Sequence, residues 1–439
     1  MWKKVITAIP LMLISTLFLM ACGTEGIETG EAVSKETGEN GADIEAEASE
    51  ESEPEELSGE LTLMVWLSYA KDIWQPVADA FMEEHPGVTI KIDAPSPEDD
   101  QNEAFLKKYN TRIMTGDGFD IVDTSVTGME KYGGEQGLFV DLYELMDADV
   151  EFRREDYFSC IFEPMETDGK LYELVYSVQP LYVWLNKRLL GRAGLEYTGE
   201  TVSFREMYEL YEKVRESEGE RIFLTDSMYG YEGMSAYEDG YFIRNNLIDS
   251  DEFTEYLKMR HELYYTSESR TNWSDGTIRI KDDVLCRVGD ALRLSYSNLV
   301  DGAFTETEDV TGAIIYEGMH GEHYFYNPDA LAISSFSGNK ELAWEFLKFV
   351  VSNRESAPTE ISRISPNREK VVSMCEGMKP EVRERLMRDI ELIDTAAFRD
   401  SSLSFSQQSV YDDYFLNNTI TAEECRKELA SRVYLYMNE

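Results

Sequence analysis

The stretch from residue 59 to residue 92, GELTLMVWLSYAKDIWQPVADAFMEEHPGVTIKI, decides the fold class. LTLMVWL is an apolar run of the length that is typical of a buried strand. Apolar residues then recur at helical spacing, at Ile73, Val77 and Phe81. His85-Pro86-Gly87 ends this helix, and the apolar residues of VTIKI alternate as in a second strand. The order predicts a β-α-β unit.

A second unit of the same kind follows. Apolar residues at helical spacing between Phe105 and Met114 predict a helix, Gly116-Asp117-Gly118 breaks it, and FDIVDTS is typical of the next strand. Strands that alternate with helices indicate an α/β fold with a mostly parallel sheet flanked by helices. Ligands of such sheets bind beyond the carboxyl ends of the strands. We therefore expect the ligand near the loops after Leu67 and after Val122.

Later segments also alternate between predicted strands and helices, and the sequence has no internal repeat. YVWLNKRLLGRAGL predicts a strand followed by a helix, and DALAISSFSGNKELAWEFLKFVVSNRES predicts a strand, a turn and a helix. The last segment, TAEECRKELASRVYLYMNE, opens with a capping box from Thr421 to Glu424. Its apolar stripe predicts that Cys425, Leu429, Val433 and Tyr436 are buried.

The charge and composition restrict the class of protein. The chain has 439 residues and a net charge of −45, with 42% hydrophobic and 12% aromatic residues. These fractions are globular, and only one long apolar run exists, which argues against wholesale disorder and against a polytopic membrane protein. Because a strongly acidic surface repels phosphates, we expect no nucleic-acid partner.

The N-terminus predicts export and a lipid anchor. Lys3 and Lys4 precede the uncharged run VITAIPLMLISTLFLM, as in a signal peptide. The next residues, Leu19-Met20-Ala21-Cys22, resemble a bacterial lipobox. This resemblance implies that residues 1–21 are a lipoprotein signal peptide, that cleavage precedes a lipidated Cys22, and that the protein sits on the outer face of the cell membrane. Two acyl chains hold a protein there durably.

Residues 22–58 predict an acidic, disordered tether behind the lipid anchor. From Gly23 to Ser58 the chain has 13 acidic residues, one lysine and no aromatic residue, a net charge of −12. Such a segment buries too little apolar surface to fold, and its charges repel one another.

The order of segments resembles the bacterial extracellular solute-binding proteins, the family of maltose-binding protein and many oligosaccharide receptors of ABC importers. The resemblance runs over about 380 residues and rests on the lipobox, LTLMVWL, EEHPGV with TIKI, MTGDGFDIVDTS, YSVQPLYVWLNKRLLGRAGL, LAISSFSGNKELAWEFLKFVVS, ISPNREKV and the last helix. Phe119 departs from the family, which usually has proline there.

The resemblance implies two α/β lobes that face one another across a cleft, joined by three hinge crossovers in a periplasmic-binding-protein-like fold of class II. Lobe one would comprise residues 59–177 and 330–364, and lobe two residues 178–329 and 365–439. The crossovers would lie near residues 178–181, 327–330 and 364–367. A ligand that touches both lobes would favour the closed form. The loaded receptor, a monomer, would then meet the permease subunits of the importer.

Sugars offer apolar faces and a fringe of hydroxyls, so aromatic and planar polar side chains are the expected contacts. The strand-end loops of lobe one contribute Ser68, Tyr69, Asp72, Thr124, Ser125 and Thr127. Gln179 stands where the family often has a polar contact, with Tyr176 and Tyr182 nearby. The stretch TDSMYGYEGMSAYEDGY, which is too irregular for a core helix, contributes Tyr229, Tyr231 and Tyr237. The family pattern adds Tyr296 and Arg399.

The sequence motifs give little support to a catalytic or metal-dependent function. No Gly-x-Ser-x-Gly elbow and no P-loop lysine motif is present, and His320-Gly-Glu-His323 fits a β-turn better than a zinc site. We therefore predict a binding protein rather than an enzyme, without metal or cofactor. Four cysteines besides Cys22 permit two disulfides, but we favour free, buried thiols.

The function predicted from the sequence is an importer receptor for a neutral small molecule, a carbohydrate or oligosaccharide. Three alternatives stay open: a receptor that presents its ligand to a membrane sensor, a receptor for a cationic solute such as a polyamine, and a surface hydrolase.

Overall fold

The structure is a computed structural model that describes residues 56–99, 103–127, 132, 137–178, 180–219, 222–225, 228–263, 280–289, 302–324, 329–352, 364–396 and 400–438. For residues 228–233, 401 and 405 it describes the backbone only. The strands are β1 Ser58–Met64, β2 Gly87–Asp93, β3 Ile121–Asp123, β4 Glu166–Thr167, β5 Lys170–Leu171, β6 Leu174–Val175, β7 Tyr182–Leu185, β8 Thr201–Ser203, β9 Phe223–Thr225, β10 Val284–Gly289, β11 Ile314–Glu317 and β12 Ala330–Ile333.

The helices are α1 Ala70–Glu84, α2 Glu103–Thr115, α3 Leu142–Ala148, α4 Lys187–Arg192, α5 Phe204–Glu218, α6 Met228–Arg244, α7 Asp251–Glu262, α8 Lys340–Ser352, α9 Arg368–Met374, α10 Pro380–Glu391, α11 Ser401–Tyr411 and α12 Ala422–Asn438. Three short 3-10 turns lie at Arg154–Asp156, Ser159–Ile161 and Glu163–Met165, and a π-helical turn, Asp412–Leu416, follows α11.

Two five-stranded sheets carry the fold. The first has the strand order β2-β1-β3-β12-β6 and the second the order β8-β11-β7-β10-β9. In each sheet two strand pairs are parallel and two are antiparallel. The α/β class predicted from the sequence is therefore confirmed, but the sheets are mixed rather than mostly parallel. The antiparallel pairs all involve β12 in the first sheet and β7 in the second.

The structure confirms several local features that the sequence predicts. The apolar face of α1 is buried, and so are Leu342, Phe346, Phe349 and Val350 of the predicted helix α8. The capping box of α12 is present, because Thr421 Oγ1 accepts from Glu424 N (3.2 Å) and Glu424 Oε2 accepts from Thr421 N (2.8 Å). Gly116 has φ +66° at the end of α2, and a Cβ there would lie 2.1 Å from the Phe336 ring. Glycine is thus required at this turn.

Two large apolar clusters form the cores. One includes residues of the first sheet and of α1 and α8, and it continues through Tyr182 and Trp184 of β7 to the helices α9 and α10. The other covers the opposite side of the second sheet with α4 to α7, α11 and α12. A smaller cluster joins α2 and Tyr132 to β1 and β3.

The three predicted crossover segments lie side by side. Tyr176 N donates to Asp329 O (2.9 Å), and Val178 N donates to Ile364 O (2.9 Å) in an isolated antiparallel bridge. Ser177 Oγ adds a hydrogen bond to Asp329 Oδ2 (3.2 Å). Polypeptide segments between the two sheets are therefore hydrogen-bonded to one another, while the lobe boundaries that run through them stay a prediction.

Candidate ligand-binding site

The carboxyl ends of β1 and β3 meet at one edge of the first sheet, because the two strands are parallel neighbours paired through Leu63 with Ile121 and Met64 with Val122. The segment after β1 carries Ser68, Tyr69 and Asp72, and the segment after β3 carries Thr124, Ser125 and Thr127. The structure thus brings these six predicted residues to the same edge of the sheet.

The segment after β3 is held by its own hydroxyl and carboxylate groups. Asp123 Oδ1 accepts from Ser125 N (3.0 Å) and from Ser125 Oγ (2.5 Å), and Thr127 N donates to Thr124 O (2.9 Å). Tyr109 of α2 donates its hydroxyl to Asp123 O (2.7 Å) from beneath. These bonds fix the turn, and they leave the Thr127 hydroxyl buried without a hydrogen-bond partner among the described residues.

Glu173, immediately before β6, is a site residue that the sequence analysis missed. Its carboxylate accepts a short hydrogen bond from Thr124 Oγ1, which also lies 3.1 Å from Ala330 O. Both Glu173 and Thr124 are buried. Glu173 lies 49 residues further along the chain than Thr124, so only the pairing of β12 with β3 and β6 brings it to this edge.

The segment after β1 presents the exposed part of the candidate site. Tyr69 is 55% exposed, whereas Ser68 is half-buried and Asp72 is exposed. Trp74, one turn further along α1, is buried and contacts Tyr176 edge-to-face with 5.2 Å between ring centroids. Since Tyr176 belongs to the first crossover segment, this aromatic contact ties the start of α1 to the region between the two sheets.

The tyrosine-rich stretch of the second sheet's lobe does not form the predicted loop. Residues 228–244 form the helix α6, so the expectation of an irregular segment was wrong. Tyr237 is buried, and its ring stacks on Tyr324 with 4.9 Å between centroids and 9° between planes. Tyr229 and Tyr231 lie in the first turns of this helix, and their side chains are outside the described part of the structure. Glycines do not break α6 because its apolar and aromatic residues pack into the core.

Beside Tyr237 lies Glu238, a fully buried acid. It accepts a short hydrogen bond from the Tyr316 hydroxyl and a 3.3 Å bond from Met319 N. Burial raises the pKa of this carboxyl to about 8, against the lowering effect of both hydrogen bonds. Tyr182 is likewise buried, and its hydroxyl is bonded to Asp389 Oδ2 at 3.0 Å. Tyr237 and Tyr182 therefore belong to the core and not to an open ligand surface.

Four predicted site residues lie outside the described residues: Cys22, Gln179, Tyr296 and Arg399. They stay predictions.

The surroundings of His320 and of the four cysteines after Cys22 are typical of a structural role. His320 lies in a turn after β11, stacks on Tyr241 (4.1 Å between centroids) and contacts Glu252 Oε1 at 2.8 Å. Within the described ranges, no group of three or more His, Cys, Asp or Glu side chains could hold a metal ion. All four cysteines besides Cys22 are free and buried, which confirms the prediction, and burial raises the pKa of Cys160 and Cys425 to about 12.

Residues 68–357, more than half of the chain, match the sequence profile of the family described as bacterial extracellular solute-binding protein. The chain belongs to this family. Family membership confirms the resemblance seen in the order of the sequence segments.

Solved structures show the same fold. An ABC substrate-binding protein from Listeria monocytogenes in complex with cycloalternan has 17% identity and a TM-score of 0.55, and the match covers 87% of this chain and 99% of that chain. Maltose-bound MalE3 of T. maritima has 14% identity and a TM-score of 0.55, with 86% and 99% covered. A solute-binding protein of Thermotoga lettingae bound to α-D-tagatose has 15% identity and a TM-score of 0.53, with 87% and 100% covered. The family member described here is thus a two-lobed, periplasmic-binding-protein-like α/β protein.

In the part of the chain that the structure describes, no helix has the length and apolar character needed to cross a bilayer.

Proposed function

We propose that this protein is the lipid-anchored receptor of an ABC importer, and that it captures a neutral carbohydrate or oligosaccharide by closure of its two lobes and delivers it to the permease. Family membership supports the receptor class. The ligand class is supported by similar structures that hold cycloalternan, maltose and α-D-tagatose.

The observation that carries the ligand site is the shared strand edge after β1 and β3. It combines an exposed aromatic ring, Tyr69, with the hydroxyls of Ser125 and Thr127 and with the buried acids Asp123 and Glu173. An aromatic platform beside hydroxyl and carboxylate groups suits a sugar, because the ring covers an apolar face of the sugar and the oxygens bond its hydroxyls. Carboxylates also attract ammonium groups, so the test includes a polyamine as the alternative ligand class.

Closure is proposed to occur about the paired segments that include Tyr176, Val178, Asp329 and Ile364. Their hydrogen bonds keep the segments together while a few backbone dihedrals absorb the rotation, as in hinge motions of other two-domain proteins. A ligand shifts such an equilibrium by its differential affinity for the closed form.

A thermal-shift screen tests the ligand class. Neutral oligosaccharides such as maltotriose, polyamines such as spermidine and a uronic-acid oligosaccharide are each added to the whole protein. A ligand present at 100 times its Kd stabilises the folded state by about 2.7 kcal/mol, which raises the melting temperature. Shifts with neutral saccharides support the proposal, and a shift with spermidine alone refutes the sugar assignment.

The anchor and the delivery step need separate tests. Replacing Cys22 with serine removes the thiol that would carry the lipid, so the variant is expected to incorporate no radiolabelled palmitate, whereas the parent protein is labelled. An unlabelled parent protein, or equal labelling of the variant, would contradict the anchor. Uptake of a radiolabelled saccharide that binds, measured in cells with and without the receptor, tests delivery to a permease.

A further inference from the structure

Two exposed apolar side chains lie at the amino end of β3 in the first sheet. Phe336, in the turn after β12, is 57% exposed, and Met114, in the last turn of α2, is 51% exposed. β12 runs antiparallel to β3, and its last residue, Ile333, pairs with Ile121, the first residue of β3. The turn after β12 and the end of α2 therefore lie on the same side of the sheet, at the edge opposite to the candidate ligand-binding site.

The Phe336 ring packs directly against the chain between α2 and β3. A Cβ added to Gly116 would lie 2.1 Å from this ring, so the ring rests on the glycine backbone. The turn is fixed by two further bonds, from Phe336 N to Ser334 Oγ (3.3 Å) and from Ser337 Oγ to Asp120 Oδ1 (2.6 Å). An exposed ring that is held in this way loses little conformational freedom when it makes a new contact.

The described part of the chain enters the fold beside this turn. β1 begins at Ser58, and Asn339, at the end of the turn, donates its amide Nδ2 to Glu60 O at 3.0 Å. The turn that carries Phe336 thus contacts the first residues of β1, to which the predicted tether, residues 22–58, is joined. A flexible chain of that length would span about 30 Å. A bilayer that holds the lipid anchor would therefore stay within reach of this side of the first sheet.

We propose that Phe336 and Met114, together called the Phe336 face, dock on the lipid bilayer that carries the anchor. This inference rests on the lipid anchor of the proposed function. Binding to a bilayer increases with the apolar area that becomes buried, and two half-exposed side chains are too little to hold a free protein there. The tether raises the effective concentration of the bilayer, so that this weak contact becomes populated.

The charge of the protein favours an apolar contact over an electrostatic one. The chain has a net charge of −45, and anionic lipids repel an acidic surface. Docking through the Phe336 face would also orient the receptor. β1 has seven residues, so its carboxyl end, where the candidate site lies, is about 20 Å from its amino end. A docked receptor would turn the candidate site towards the medium, where free ligand is captured.

The test uses the chain from Cys22 onward, coupled through the Cys22 thiol to a maleimide-bearing lipid in vesicles of phosphatidylcholine and phosphatidylglycerol. The four later cysteines are buried and react slowly. Phe336→Trp places a fluorescent ring at the proposed contact. Lipids brominated on their acyl chains quench a tryptophan that touches them, so the fluorescence added by this substitution is expected to be strongly quenched.

Leu435→Trp is the matched control, because Leu435 is 56% exposed on α12, a helix that packs into the core on the second sheet. Its added fluorescence is expected to resist quenching. Met114→Ser, introduced into the Phe336→Trp protein, removes the second apolar side chain of the face. Because about half of that side chain is available for burial, the ratio of docked to free receptor should fall about fivefold, and quenching should fall with it.

Absence of quenching at position 336, or equal quenching at positions 336 and 435, overturns the proposal. A blue shift of the Phe336→Trp emission that grows with protein concentration without vesicles would assign the face to a second copy of the chain, and it would also overturn the proposal. Because the lipid is coupled chemically, none of these outcomes depends on natural lipidation. Failure of the palmitate experiment would contradict the anchor by itself, and the quenching would still decide whether the Phe336 face docks on lipid.

Discussion

The segment after β3 and the helix α6 contain similar residue types, acids and hydroxyl-bearing side chains, yet the structure uses them in opposite ways. In the first, Asp123, Ser125 and Thr127 form a turn at the edge of a sheet. In the second, Tyr237 and Glu238 lie inside the core, bonded or stacked to Tyr316 and Tyr324. The difference teaches that polar composition alone does not locate a binding site. A position beyond the end of a strand is the better guide.

The largest expected effect concerns Tyr237. Replacing it with alanine removes a buried ring and its stacking on Tyr324, so the free energy of unfolding should fall by about 4 kcal/mol. Denaturant unfolding measures this loss. Tyr69→Ala is the matched control, since the same substitution at a 55% exposed position should change the free energy of unfolding by less than about 0.5 kcal/mol. If Tyr237→Ala is as stable as the parent protein, Tyr237 is not part of the core and is again a candidate ligand contact.

The second prediction concerns the pH dependence caused by Glu238. Its carboxyl has a pKa of about 8 in the folded protein and about 4.5 when unfolded. Below pH 4.5 both states are protonated; between pH 4.5 and 8 the unfolded state loses its proton first, so stability falls as pH rises. At about 1.4 kcal/mol per pKa unit, the full shift corresponds to roughly 5 kcal/mol, of which roughly 4 kcal/mol is lost by pH 8, where the folded-state carboxyl is half ionised.

Glu238→Gln removes this titration and keeps the shape of the side chain. The variant and the parent should have similar stability at pH 5, and the variant should be the more stable at pH 8. Urea unfolding at both pH values measures the difference, in which the contributions of the other acids cancel. A difference that does not change with pH would show that Glu238 is ionised in the folded protein.

Thr124→Val probes the buried pair with Glu173. The substitution removes the hydroxyl that donates to the Glu173 carboxylate and leaves that carboxylate with one bond fewer in a buried place. The free energy of unfolding should fall by about 2 kcal/mol. Ser125→Ala, whose hydroxyl is partly exposed, is the control and should cost less than half as much. Equal losses would mean that Glu173 finds water or another donor.

Thr127→Val is expected to have the smallest effect on stability. It tests most directly whether the segment after β3, unlike the helix α6, contacts the ligand. Since the Thr127 hydroxyl is buried without a partner among the described residues, its removal should leave the melting temperature unchanged or slightly higher. If that hydroxyl is reserved for the ligand, the Kd of a saccharide that binds should rise about fivefold. Isothermal titration measures the Kd; an unchanged Kd would place the ligand elsewhere along the edge.

Much of the fold could be predicted from particular residues. The apolar periods of LTLMVWL and of α8, the Gly116-Asp117-Gly118 break and the Thr421 capping box are local signals, and local geometry satisfies each of them. Six ligand candidates at the ends of β1 and β3 follow from the rule that parallel strands present their carboxyl ends together.

The sequence by itself determined the α/β class, the family and the edge of the first sheet where polar side chains gather, because these depend on periodicity and on residue order. Only the tertiary structure decided that β12 runs antiparallel to both β3 and β6, that Glu173 reaches Thr124, and that Tyr237 and Glu238 are buried. Those outcomes depend on contacts between residues far apart in the chain.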